Sequence, residues 1–210
     1  MNKLRPVIGI IDCGVGNHTS ILRCIRLLKF RAFISCKEND LNNADVLLLP
    51  GVGAFPTAME NLHQNNLTEY LQTETRKGRP LIGICLGMQL LAESSTELGF
   101  TTGLGLIPGA IEAIGEPKWH IGWNGLEATT EQELLHKHDG EVMYFNHSYV
   151  YKGPNEFIAA RFRFQQGSKP FVAAIKRDNV IGLQFHPEKS QQRGLQLLEG
   201  VIRRLLTDVA

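Results

Sequence analysis

The stretch Gly83-Ile84-Cys85-Leu86-Gly87 sets a cysteine where many hydrolases carry serine, in the surroundings of a nucleophile elbow. It follows the apolar run Leu81 to Ile84 and leads into a helix-like segment through Met88, Leu90 and Leu91. A sharp strand-to-helix turn strains the backbone and leaves no room for a Cβ on either side of the central residue, a demand that Gly83 and Gly87 meet. Such a turn lifts the Cys85 sulfur above the sheet edge and aims the first helix amides at it, which favours a thiolate and an oxyanion. A lone cysteine after a core strand is also simply a small buried hydrophobe, so the glycines carry this argument. A thiol nucleophile needs a base. Gln184-Phe185-His186-Pro187-Glu188 closes the apolar run from Val180, and in an extended chain His186 and Glu188 project to one side. Imidazole can take the thiol proton while the carboxylate orients the ring, and Pro187 ends the strand's hydrogen-bond ladder. Alone, the pair also fits a surface histidine beside a solvated acid. Pro50-Gly51-Val52-Gly53, directly after the run Val46 to Leu49, is either a plain connector or a turn presenting backbone amides to an oxyanion.

Six segments occur in order along nearly the whole chain: Asp12-Cys13-Gly14-Val15-Gly16-Asn17, Leu49-Pro50-Gly51-Val52-Gly53, Gly83 to Leu91, His120-Ile121-Gly122-Trp123-Asn124, Tyr144-Phe145-Asn146-His147-Ser148-Tyr149, and Gln184 to Ser190. Together they resemble the class I, triad-type glutamine amidotransferases, and within them the glutaminases that serve histidine biosynthesis. The resemblance implies that Cys85 is the nucleophile, His186 the base and Glu188 the orienting acid. It implies an oxyanion hole made by the Leu86 amide with an amide from Val52 or Gly53. Gly51, Gln89, His147, Ser148 and Tyr149 would hold glutamine, the last three largely through main-chain contacts to its amino acid end. The implied partner is a (β/α)8-barrel cyclase, bound as a heterodimer, that uses the ammonia to form imidazole glycerol phosphate and an aminoimidazole carboxamide ribonucleotide. Asn17, Tyr144 and Lys189 would lie at or near that interface, although each also fits an ordinary surface polar residue. The alternative is a paralogue supplying a sugar-modifying amidotransferase in surface polysaccharide synthesis. The chain departs from the family pattern at Cys13, commonly tyrosine, at His18, commonly leucine, and at Trp119, commonly proline.

The chemistry expected is thiol-mediated hydrolysis of the glutamine side-chain amide. No P-loop accompanies it, and Gly14-Val15-Gly16 lacks the third glycine of a dinucleotide fingerprint and fits a tight turn. Ammonia would therefore pass to another protein, with no cofactor or metal required. A formal charge of +1 gives no field for nucleic acid or a membrane surface, and no apolar run approaches the ~20 residues of a spanning helix. The expected location is the cytoplasm. Cys13, Cys24, Cys36 and Cys85 lack paired metal spacing and are read as reduced, with Cys85 alone reactive.

The elements that must position these residues follow from the pattern. Val7 to Ile11, Val46 to Leu49 and Leu81 to Ile84 are continuous apolar runs, the mark of strands buried on both faces. Ile21, Leu22, Ile25 and Leu28 recur at helical spacing, and Leu62, Leu67 and Leu71 mark a helical stretch interrupted at Asn65-Asn66. This alternation predicts an α/β fold, a doubly wound, mostly parallel sheet flanked by helices, in one amidotransferase domain over residues 1–210. Val142 to Tyr151, Phe157 to Phe164 and Phe171 to Ile175 predict strands of a smaller antiparallel region over the site. Leu195, Leu198, Val201, Ile202 and Leu205 share one face of a terminal helix, with Arg203 and Arg204 on its solvated side.

Overall fold

The computed structural model describes residues 5–12, 14, 16–130, 133–165 and 167–208. The apolar runs are strands of an eight-stranded sheet. Arg31–Ser35, Val7–Ile11, Val46–Gly51, Leu81–Cys85 and Val180–Leu183 lie side by side and parallel, in that order. Successive strand residues point to opposite faces, and here both faces are covered. Ile8, Ile10, Leu48, Ile82, Ile84 and Leu183 enter a core shared with the helices His18–Leu27 and Gln191–Asp208. Ile11, Leu47, Leu49 and Leu81 enter a second core shared with the helices Phe55–Gln64 and Leu67–Arg76. That two-sided burial is why the runs show no alternation. Each aliphatic side chain so buried stabilises the fold by about 1.5–3 kcal/mol.

The interruption at Asn65-Asn66 divides two helices. Asn66 adopts a left-handed conformation (φ +60°), which asparagine tolerates better than most residues. The Asn17 side chain accepts a bond of 3.4 Å from the Ser20 amide and caps the first helix.

Three expectations are corrected. Val142 to Tyr151 is not one strand: it divides at Ser148 into Val142–His147, paired antiparallel with His120–Gly125, and Tyr149–Lys152, which joins Ala110–Ala113 in a different sheet. Ile158–Phe162 and Phe171–Arg177 do not form a separate region but extend the main sheet as antiparallel strands beyond Val180–Leu183. The strand Arg31–Ser35 is an addition to the expected set; as an edge strand only partly buried, it lacks a continuous apolar run.

The hairpin of His120–Gly125 and Val142–His147 supplies the smaller antiparallel region. Its inner face carries His120, Met143, Phe145 and His147, all buried. Its outer face carries Ile121, Trp123 and Val142, all exposed, with Tyr144 half-buried between them.

Candidate active site

Cys85 ends its strand in a positive-φ conformation (φ +56°, ψ −111°) and the helix Leu86–Leu90 begins at the next residue. A non-glycine residue held there costs on the order of 1–3 kcal/mol and persists only where its surroundings impose it. They do. A Cβ on Gly87 would stand 1.8 Å from the Leu49 carbonyl oxygen, and one on Gly83 would stand 2.5 Å from that of Gly87. Gly51 pairs in register with Cys85, and a Cβ there would meet the Leu86 Cβ at 2.9 Å. The glycines thus let the nucleophile strand, its neighbour and the helix start approach closely.

The proposed base, His186, is held differently. His186 and Glu188 do not lie on extended chain: Pro187–Lys189 forms a 3-10 turn that folds the carboxylate back beside the ring, with Oε1 2.9 Å from Nδ1. Both side chains are buried. The turn is tied to the hairpin, since the His186 amide donates to the Tyr144 carbonyl at 2.8 Å and the Tyr144 amide donates to Ser190 Oγ at 2.9 Å. Ser190 Oγ in turn donates to the His186 carbonyl at 2.6 Å. Burial alone would push the imidazole down, but hydrogen bonds to Cys85 and Glu188 and the charges of both outweigh it and raise His186 to about 9. Nδ1 faces the carboxylate, which leaves Nε2 for the sulfur.

A cavity of about 250 Å³ brings together Val52, Gly53, Cys85, Leu86, Gln89, His147, Ser148, Tyr149, His186 and Lys189. Glu188 stands behind His186, and Gly51 packs against Leu86. The proposed interface residues differ among themselves. Asn17 caps a helix, Tyr144 packs edge-on to Trp123 at 5.5 Å, and the Lys189 ammonium lies 5.7 Å from the Tyr144 ring at the cavity rim. Of the departures, Cys13 lies outside the described residues, as does Val15 of the glycine turn. His18 Nε2 stands 3.5 Å from Asp12 Oδ1, and Trp119 is exposed. Cys24 is pushed up to about 12 by burial and by the charge of Glu188, which makes it inert as a nucleophile.

Three residues in or directly behind the cavity carry no signal that singles them out in the sequence. Gln184 is fully buried, donates to Cys85 Sγ at 4.0 Å and accepts from Gln89 Nε2 at 3.1 Å. It stands within the His186 segment, where its amide is the available signal. The Asn146 carbonyl lies 3.7 Å from Cys85 Sγ, a main-chain role no residue type announces. Glu97 lines the cavity while Oε2 accepts from the Phe55 amide at 2.8 Å; its segment, Ser94 to Gly99, carries no motif.

Residues 9–203 match the family model described as glutamine amidotransferase class-I. The chain belongs to that family. This amidotransferase is 43% identical over 198 residues to the "Imidazole glycerol phosphate synthase subunit HisH" of Listeria innocua, covering 92% of this chain and 94% of that one. It is 42% identical to the same-named protein of Streptococcus sanguinis (90% and 92% covered) and 39% identical to that of Bacillus cytotoxicus (94% and 96%). Among solved structures, PurLQS from Thermotoga maritima shares the amidotransferase's fold with a TM-score of 0.77 at 17% identity, over 96% of this chain and all of that one.

Proposed function

We propose that this chain is the glutaminase subunit of an imidazole glycerol phosphate synthase, acting in histidine biosynthesis through Cys85, His186 and Glu188. Relatives of that name at 39–43% identity favour this over the polysaccharide alternative. Cys85 Sγ attacks the side-chain amide carbon of glutamine, and the oxyanion is received by the Leu86 amide together with that of Val52 or Gly53. His186 passes the thiol proton to the departing nitrogen; ammonia leaves and a γ-glutamyl thioester remains. Water, deprotonated by His186, then releases glutamate. The single observation that carries this reading is the base held 2.9 Å from its acid, beside a cysteine on a strained elbow. Gln89 and the His147–Tyr149 segment suit the two ends of glutamine, and the Glu97 carboxylate suits its ammonium group.

Residues 1–210 are read as one amidotransferase domain working in the cytoplasm; among the described residues no helix is long and apolar enough to cross a membrane. The ammonia acceptor in this reading is a (β/α)8-barrel cyclase subunit. The exposed outer face of the hairpin, with Trp123 and Val142, adjoins Tyr144 and Lys189 and is an apolar patch suited to a protein partner. Gly53 has φ +104° with open space around it and Val52 is exposed, so this segment has room to turn an amide toward the oxyanion when the partner docks. The test is the glutamine hydrolysis rate with and without the cyclase and its nucleotide ligand. Stimulation is expected, with weaker stimulation after substitution of Asn17 or Tyr144. A chain that works equally fast alone, or that a cyclase from the same cell neither binds nor stimulates, contradicts the assignment.

A further inference from the structure

We infer that His120 and His147 take up and share one proton when the carboxylate end of glutamine enters the cavity, which makes His120 a positioning residue acting through His147. The inference rests on the glutamine reading above and on a count of donors and acceptors. His147 Nδ1 lies 2.8 Å from the Tyr149 carbonyl, which can only accept, so Nδ1 carries a hydrogen. His120 Nε2 lies 2.7 Å from Asn124 Oδ1. That amide cannot be turned over, because its Nδ2 donates to the Arg163 carbonyl at 2.6 Å and the reverse orientation would set two oxygens against each other. His120 Nε2 therefore carries a hydrogen as well. The two remaining nitrogens, His120 Nδ1 and His147 Nε2, face each other at 3.1 Å. With both rings neutral, two lone pairs oppose; one added proton converts the contact into a charge-assisted hydrogen bond.

The surroundings withhold that proton from the empty site. His120 packs in one aromatic cluster with Phe145 and Phe162, at 4.8 and 4.6 Å, with Phe164 at its edge. Burial pushes His120 down and His147 to about 3. The nearby charges give little help. His186 repels a second cation, Lys189 stands at the rim, Glu97 is engaged by the Phe55 amide, Cys85 pairs with His186, and the Arg163 guanidinium is bound to Glu127. The negative charge that could hold the proton is the α-carboxylate of glutamine, brought to the segment His147 begins. Ligand and proton then bind together, and glutamine affinity falls as pH rises between the pair's free and bound pKa values.

The experiment is calorimetric titration of the full Cys85→Ala chain with glutamine across a pH series from about 5 to about 8, in buffers of different ionisation enthalpy. Uptake of up to one proton per glutamine is expected toward the acid end, declining as pH rises, with the apparent Kd rising up to about tenfold per pH unit between the pair's free and bound pKa values. Adding His120→Gln supplies a neutral N–H to His147 Nε2, so glutamine should bind more weakly, with no uptake and no pH dependence. A residue that merely fills space would leave the proton count unchanged. Should His120→Gln fail to fold, ¹⁵N imidazole spectra of the Cys85→Ala chain decide alone: glutamine must turn one neutral ring of the pair into a shared imidazolium. Glutamine that binds without proton uptake, or uptake that survives His120→Gln, overturns this inference alone. Glutamine that does not bind overturns the underlying reading as well.

Discussion

The proposed nucleophile and the proposed base of this site are built in opposite ways. Cys85 is positioned by close packing, because Gly83, Gly87 and Gly51 permit backbone approaches that any Cβ would block. His186 is positioned by hydrogen bonds, from the distant Tyr144 carbonyl and from the nearby Ser190 Oγ, with Glu188 folded back on a turn. One half of the proposed triad is a matter of steric exclusion and tolerates no added atom. The other is a hydrogen-bond network, in which single bonds should be lost at modest cost.

The contrast is sharpest where the network's central member is removed. His186→Ala should lower glutamine hydrolysis by about 10³–10⁴-fold, the larger part of what a general acid–base group contributes, while thermal unfolding stays cooperative. A drop of less than tenfold would remove His186 from the mechanism. Gly87→Ala tests the steric half. Its Cβ would fall 1.8 Å from a carbonyl oxygen with no flexible side chain to yield, so a destabilisation above about 4 kcal/mol is expected in denaturant melts. Near-native stability of the Gly87→Ala chain would show that the elbow is not held by close approach.

Glu188→Gln should be milder, lowering kcat by about 10–10²-fold, because the amide oxygen can still accept from Nδ1 while the charge is lost. It also carries a pH signature. His186 is raised from 6.5 to about 9, so its contribution to stability is fully present below about 6.5 and is lost as pH rises through about 9. Unfolding measured across that window should lose stability in the unsubstituted chain and change less in Glu188→Gln. Equal slopes in both would remove the carboxylate as a cause of the shift. Ser190→Ala is expected to be the smallest change, costing about 1–3 kcal/mol for the unpaired Tyr144 amide with only a few-fold loss of rate. A loss as large as that of His186→Ala would mean that the network is as intolerant as the elbow.

The same contrast explains what the sequence can disclose. Strands buried on both faces announce themselves as unbroken apolar runs, so Val7–Ile11, Val46–Gly51 and Leu81–Cys85 are legible together with the elbow they feed. Glycine flanks reveal a steric constraint because no other residue meets it. Hydrogen bonds between distant segments leave no such mark. The break at Ser148, which sends Tyr149–Lys152 to another sheet, follows from pairing with Ala110–Ala113 rather than from local composition. Gln184 reaches the Cys85 sulfur and Glu97 reaches the cavity through tertiary packing, and a turn, in place of the expected extended geometry, brings Glu188 to His186. The residues proposed for the triad stand out by type and order in the sequence, whereas the manner in which His186 is held does not.

The most direct test compares glutamine-dependent and ammonium-dependent product formation in the assembled complex, with the unsubstituted chain and with Cys85→Ala. Cys85→Ala is expected to abolish the glutamine-dependent rate and glutamate release while the ammonium-dependent rate is retained. Glutamate release by Cys85→Ala at near the unsubstituted rate would contradict this expectation.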